Sequence, residues 1–495
     1  MSRWRFDHRP SSALPPLAWL ARIEGTRVTV DCGAAVRCAD DGFFEGSWAG
    51  APALADVCAA TTVFGSGMVV DDGQLLALTP SHNLEALYST RRPDALLMAN
   101  SLVALLAGAG LELAPGVDYP ALFGRTREGI GRSPIELPTL GQPVRLDYFE
   151  NLAITPGGEL AQRAKPREAP FTSFADYRDR IRAALASIIA NGAPRVPVVP
   201  LSSGYDSTAI AALAAPLGVT RAVGFTSARD FAAAGREADD SAAATAGRLG
   251  LELASGERLA YRRRGDLPEA EFLASGMTGE EVVFSTFEQQ LRGTVLLTGT
   301  WPAWIWARHA PYEPNLERDD MSGTSMTEFR LRIDCVYVPL AFFGATAQPS
   351  LTAISEQPDM RPFQVGGRYD RPIPRRLAEE AGLPRGTFAL RKLGVSATLH
   401  RRPREAFAPA TLAAIDDFAR RAGEPRPFGR RLQTGRLHRG LQRLATRLGA
   451  RRLADALQRQ RRARTHFGAR DGNLVLRWAV SVVAPRYAAL RSDPE

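Results

Sequence analysis

The sequence predicts an α/β protein built on a parallel sheet, with a β-rich region ahead of it. Three observations carry that reading. From Val196 onward, strand-like apolar runs alternate with helical ones, which is the pattern of right-handed β-α-β units. Before about residue 165, short runs such as "TRVTVDC", "TTVFGSGMVV" and "QLLALT" are punctuated by Gly, Asp and Asn, as strands joined by turns are. A chain of 495 residues that is 45% hydrophobic and 23% charged has an ordinary globular composition and should divide into two or three domains.

In chain order, residues 1–165 form the first expected domain. Its most apolar window, Ala95–Ala114, contains Asn100, Ser101, Glu112 and two glycines, so it reads as a buried helix or strand pair rather than a membrane span. The polar stretch "TPGGELAQRAKPREAP" reads as a linker. A helix follows, with Ser173 as its cap, Asp176 three residues on, an apolar face of Tyr177, Ile181, Leu185 and Ile188, and a stop at Asn191 and Gly192. The runs "VPVVPL", "STAIAALAAPLG", "TRAVGFTS", "EADDSAAATAGRLGLE" and "GTVLLTG" then alternate strand and helix across the second expected domain, 166–420. Pro197 and Pro200 sit awkwardly for a central strand. Residues 421–495 form an arginine-rich extension, where Asp455 is the only acid between Phe428 and Arg470 and Leu437, Leu441, Leu444 and Leu448 keep a helical period.

Composition narrows the function classes. The net charge is +9, but 60 of the 62 basic residues are arginine and only Lys165 and Lys392 are lysine. That bias weakens basicity as a sign of nucleic-acid binding, and the leucine-bearing tail reads as a solvated helix face packed on its domain. Cys32, Cys38, Cys58 and Cys335 show no metal-like spacing and read as reduced structural thiols. None of the six histidines joins a metal-like cluster. "MSRWRFDHRP" lacks an apolar leader, so a cytoplasmic protein is expected, with neither membrane nor nucleic acid as partner.

Residues 197–218, "PVVPLSSGYDSTAIAALAAPLG", place a small hydroxyl-rich turn between a strand and a helix. In an open α/β sheet such a turn binds anions, because free backbone N–H groups and the positive helix end point outward. An acid there, Asp206, suits a Mg²⁺ ion bridging its carboxylate to phosphates. Neither the P-loop spacing nor G-x-G-x-x-G is present.

The run Ser202, Ser203, Gly204, Tyr205, Asp206, Ser207 resembles the Ser-Gly-Gly-x-Asp-Ser pyrophosphate loop of the N-type ATP pyrophosphatases, and most closely that of asparagine synthetase. Ser203 stands where that loop has its first glycine, a position where serine would be strained if the backbone needs glycine's freedom. Further segments resemble the family in order: "AVGFTSARD", whose Gly224, Phe225 and Thr226 would hold adenine and ribose through main chain; "READDSAAATAGRLG", as the following helix; "TVLLTGTW", with Gly299 at the nucleotide; and "EFRLRID", with Glu328 and Arg330 in a Glu-x-Arg segment and Asp334 one position early. "RPIPRRLAEEAGLPRGTFALRK" ends on Lys392, where the family's lysine meets the reacting phosphate. A compact ammonium suits developing phosphoryl charge.

The resemblance implies a doubly wound parallel sheet of the adenine nucleotide alpha hydrolase-like type, preceded by an Ntn-glutaminase-like domain. It implies ATP and Mg²⁺ as cofactors: Ser202, Ser203, Gly204, Asp206, Ser207, Gly224, Phe225, Thr226 and Gly299 at ATP, Asp206 at the metal, and Lys392 in catalysis. Two departures bear on activity. Ser2 stands where the glutaminase has an exposed cysteine, and serine is a poor glutaminase nucleophile, so the first domain is expected to be degenerate. Trp301, Pro302, Ala303 and Trp304 occupy the place of the family's acidic pair, with Glu317, Asp319 or Asp320 as conceivable substitutes. The expected function is ATP-dependent amide formation through an acyl-adenylate, joining a carboxylic acid to ammonia or an amine. The alternative is a catalytically impaired nucleotide- or partner-binding protein of the same fold. An RNA-modifying reading lacks the reactive cysteines of thiolating members. The oligomeric state is left open, a homo-oligomer included.

Overall fold

The structure, a computed structural model, describes residues 4–230, 236–276, 278–300, 305–309, 312–318, 321–367, 369–388, 392–428 and 467–490. The chain is mixed α/β, with a β-rich N-terminal part and, after it, one sheet whose strands are all parallel. Ser2, Trp301 to Trp304, Asp319, Asp320 and the leucine stripe from Leu437 to Leu448 lie outside the described residues.

The N-terminal strands are β1 (Arg5–Ser11), β2 (Trp19–Glu24), β3 (Arg27–Gly33), β4 (Arg37–Ala39), β5 (Gly42–Trp48), β6 (Val63–Asp71), β7 (Gln74–Leu78), β8 (Leu87–Arg91), β9 (Leu96–Ala99), β10 (Ile135–Leu137), β11 (Val144–Asp147), β12 (Asn151–Ile154) and β13 (Leu160–Arg163). They build a sheet in the order β1-β3-β2-β9-β8-β11-β10 and another in the order β13-β12-β7-β6-β5-β4. Alternation explains how these meet: Val28, Val30 and Cys32 share one face of β3 and pack with Phe43, Met68, Leu75 and Ala77 of the second sheet. The apolar window resolves into β9 and helix α1 (Leu102–Ala109), capped by Ser101 and ended by Gly110 at φ +61°.

The stretch read as a linker is partly a strand. Residues 160–163 pair antiparallel with β12, and Lys165 is buried with its Nζ donating to the Thr79 carbonyl. A polar edge strand has little apolar alternation to betray it.

Helix α2 (Phe174–Gly192) begins where expected, with Ser173 Oγ accepting the Asp176 N–H at 3.1 Å. The parallel sheet follows: β14 (Val196–Pro200), β15 (Arg221–Phe225), β18 (Glu252–Gly256), β19 (Thr294–Thr298) and β20 (Cys335–Pro339), in the order β18-β15-β14-β19-β20. The first strand in sequence is therefore central, and the order reverses at it. It keeps that place despite Pro197 and Pro200, and the Leu201 N–H extends its ladder to the Val223 carbonyl at 2.8 Å.

Helix α3 (Tyr205–Ala214) connects β14 to β15. The run after β15 is not one helix as expected. Residues 227–239 include β16 (Ser227–Asp230) and β17 (Arg236–Asp239), and helix α4 spans only Ala243–Arg248. Pairing with β16 imposes the strand on a charged segment whose own pattern does not announce it.

The segment carrying Glu328 and Arg330, helix α5 (Thr327–Arg332), lies where the two halves meet. Arg330 donates from Nη1 and Nη2 to Glu45 at 2.8 and 2.9 Å, and from Nε to Glu85. Glu328 accepts from Ser101 Oγ at 2.5 Å and from Tyr487 Oη at 2.7 Å, while Asp334 pairs with Arg195 at 2.7 Å. Tyr487 follows a helix, Ala469–Val483, whose Asn473 donates to the carbonyls of Ala114 and Val117 at 2.9 and 3.0 Å. The described end of the chain is thus packed into both halves. Trp306 is core, its Nε1 donating to Tyr177 Oη at 2.9 Å. Among the described residues no helix is long and apolar enough to cross a membrane.

Candidate functional site

The turn at the carboxyl end of β14 is organised by its own hydroxyls. Ser202 Oγ and Ser207 Oγ share a 2.6 Å hydrogen bond, the Ser202 N–H donates to Ser207 Oγ at 3.2 Å, and the Gly204 N–H donates to Ser202 Oγ at 3.2 Å. Gly204 is the N-cap of α3 in an extended conformation, and no side chain caps that helix end. Uncapped first-turn amides are the donors that bind anions.

Ser203 stands in this turn without strain, since it is not among the residues with positive φ. Its N–H and its hydroxyl both donate to Asp240 Oδ1, at 3.0 and 2.6 Å. Asp240 is 2% exposed. Burial pushes its carboxyl above the usual range, against the two hydrogen bonds from Ser203.

Asp206 points from the first turn of α3 to Arg371, which donates to both carboxylate oxygens. The arginine is buried, whereas the Asp206 side chain keeps 23% of its surface exposed. One ring ties the region together. Tyr369 packs on Tyr205 with centroids 4.9 Å apart, lies beneath the Arg371 guanidinium at 5.2 Å, and has Lys392 Nζ 5.8 Å from its centroid. Lys392 is exposed and comes immediately before β21 (Leu393–Gly394), which pairs with Asp230 and Arg229 of β16. The strand β16, which the sequence did not disclose, therefore fixes the backbone next to that lysine.

The remaining predicted positions line the neighbouring strand ends. A Cβ on Gly299 would fall 2.7 Å from the Asp206 carbonyl carbon, so only glycine lets β19 end against α3 this closely. A Cβ on Gly224 would fall 2.9 Å from the Leu201 carbonyl oxygen. The Phe225 ring is core, against Phe287 at 4.9 Å and Phe284 at 6.1 Å. Both main-chain groups of Thr226 have protein partners: its N–H reaches the Gly256 carbonyl at 3.1 Å, and its carbonyl accepts the Asp240 N–H at 3.2 Å.

The structure thus gathers Ser202 to Ser207, Gly224, Gly299 and Lys392 around the reversal point of the sheet. Sequence reading missed Asp240, Tyr369 and Arg371. Asp240 and Arg371 fall within quoted segments, but nothing in their residue types marks them, and arginine is the commonest cation of the chain. As to metal, Asp206 is the one carboxylate of the turn and faces Arg371; among the described residues no group of three or more His, Cys, Asp or Glu could hold an ion. Such a donor set suits Mg²⁺ only as an ion carried on phosphates, with few protein ligands. Glu317 is exposed, and its neighbours Asn315 and Arg318 bond to Ile130 and Arg127 of the N-terminal half at 2.7 and 2.8 Å. No protein-family model matches the chain, and no curated protein matches its sequence.

Proposed function

We propose that the chain is an asparagine synthetase-like enzyme with a doubly wound nucleotide-binding domain, which uses ATP to join a carboxylic acid to ammonia or an amine. The observation that carries this reading is the convergence of an uncapped, serine-lined turn with the exposed Lys392 across Tyr369, at the point where the strand order reverses. In this reading Ser202, Gly204, Ser207 and the first amides of α3 hold the phosphates, and Gly299 gives them room. Lys392 neutralises charge that develops on the α-phosphate as the carboxylate oxygen attacks it, the Pα–O bond to pyrophosphate breaks, and the acid becomes an acyl-adenylate. Bound Mg²⁺ would neutralise the phosphates from Asp206. Arg371, released from the carboxylate, would then donate to two oxygens of one phosphate, a bidentate acceptor that suits its planar fork.

A second reading, a nucleotide- or partner-binding protein without turnover, is favoured by the clasp of Arg371 on Asp206 and by the tryptophans in place of the acidic pair. ATP–pyrophosphate exchange across a panel of carboxylic acids separates the two. The ligase reading expects exchange with one class of acid and its loss in Lys392→Ala. Nucleotide binding with no exchange for any acid would establish the second.

A further inference from the structure

At one edge of the N-terminal sandwich, β1 of the first sheet comes beside β4 of the second. His8 of β1 bridges them, its Nε2 2.9 Å from the Ala39 carbonyl oxygen and its ring stacked on Phe6 at 5.6 Å. His8 is in register with Val30 of β3, so it shares a face with Cys32 two residues on. Cys38 of β4 completes the group, with its Sγ 4.0 Å from Cys32 Sγ. Cys32 is buried and Cys38 is exposed.

We propose that Cys38 and Cys32 are a reversible dithiol–disulfide pair, with Cys38 as the nucleophile and Cys32 as the resolving thiol, that reacts with low-molecular-weight disulfides. Five residues separate the two, and the intervening turn, which joins β3 of the first sheet to β4 of the second, is held at Ala35 and Arg37. Arg195 Nη2 donates to the Ala35 carbonyl at 3.1 Å; Arg37 Nη2 donates to the Asn191 carbonyl at 2.9 Å and its guanidinium stacks 5.1 Å from Trp48. The sulfurs are therefore presented to each other by anchored backbone, and the proposed disulfide needs them to close from 4.0 Å to about 2 Å. Among the described residues this cluster is not a three-ligand metal site.

The reaction balances with glutathione disulfide as oxidant. The Cys38 thiolate attacks one sulfur, forming a mixed disulfide and releasing one glutathione thiolate. Cys32 loses its proton, attacks the Cys38 sulfur and expels the second glutathione. Two protein thiols are oxidised and one disulfide is reduced to two thiols, with the protons passing to the departing thiolates. The Cys32 thiol and then His8 hold the Cys38 thiol below its ordinary range, while Cys38 and burial push Cys32 up. The other charged groups facing the cluster are Asp7 beside His8 and Asp31 beside Cys32. Cys58 and Cys335 are pushed by burial to about 11 and serve as internal comparators.

The test uses the full-length reduced protein, incubated with glutathione disulfide at pH 7, acid-quenched, alkylated and mapped by mass spectrometry. The expected product is a Cys32–Cys38 disulfide, with Cys58 and Cys335 alkylated. Cys32→Ser should stop at a stable glutathione adduct on Cys38, Cys38→Ser should leave Cys32 unmodified, and His8→Gln should slow adduct formation about tenfold at unchanged melting temperature. No Cys32–Cys38 product in the parent protein, or adduct formation at Cys58 as fast as at Cys38 in Cys32→Ser, overturns the proposal.

Discussion

Arg330 and Arg371 are both buried arginines facing carboxylates, yet they occupy opposite circumstances. Arg330 is enclosed: it holds Glu45 and Glu85, all three are at most 6% exposed, and the partners come from a different half of the chain. Arg371 is buried too, but its partner Asp206 is open to solvent on one side and lies at a helix end with uncapped amides. An enclosed network has no competitor for its charges, because a newcomer would need a path into the core. An ion pair at the rim of a turn has one in any anion or cation that fits there. The same chemistry thus fastens two halves in one place and can be exchanged for a ligand in the other.

The largest effect belongs to the enclosed network. Arg330→Met leaves two buried carboxylates without their cation and should cost about 3–5 kcal/mol of stability, read from urea unfolding. A loss under about 1 kcal/mol would place the network among weak surface pairs and break the contrast. At the turn, Lys392→Ala should lower ATP–pyrophosphate exchange by about two to three orders of magnitude and leave the unfolding midpoint unchanged, since the residue is exposed. A midpoint that falls with activity would make the lysine structural.

Gly299→Ala sharpens the comparison by moving backbone instead of charge. A methyl group 2.7 Å from the Asp206 carbonyl carbon must push α3 from β19, and should cost about 1–3 kcal/mol together with nucleotide affinity. An unchanged affinity would show that the turn does not depend on this contact.

The smallest effect is a slope. Burial lowers the Lys165 ammonium from its ordinary range to about 7. Above that pH the folded protein holds this lysine neutral, while the unfolded chain keeps it charged up to its ordinary value near 10.5. The unfolded state then binds the extra proton, so stability should rise with pH above about 7, by up to about 1.4 kcal/mol per pH unit. Urea unfolding at pH 6, 7, 8 and 9 should show a rise that Lys165→Met lacks. Equal slopes in both proteins would mean that the ammonium stays charged in the fold.

These contrasts follow what the sequence could disclose. The β-rich first part and the alternation that becomes the parallel sheet were legible because apolar residues repeat with period 2 and helices carry caps, as at Ser173. The strands 160–163 and 236–239 were not, because a polar or charged edge strand takes its structure from its partner. At the turn, Ser202 to Ser207 were recognisable as a hydroxyl-rich stretch between a strand and a helix, Gly299 was singled out only through the family resemblance, and Lys392 stood out as one of two lysines. Arg371, Tyr369 and Asp240 did not, since they reach the turn from 33 to 169 residues away and their types are ordinary. Arg330 was noticed through its Glu-x-Arg segment, but its partners Glu85 and Glu45 lie 245 and 285 residues earlier, and only the fold joins them.

The proposed function requires the turn at 202–207 to take nucleotide phosphates. Calorimetric titration of the full chain with ATP and magnesium tests this directly. Saturable heat that weakens about tenfold or more in Ser207→Ala is the predicted result. No heat up to about millimolar nucleotide, a Kd weaker than about −4 kcal/mol of binding, would contradict it.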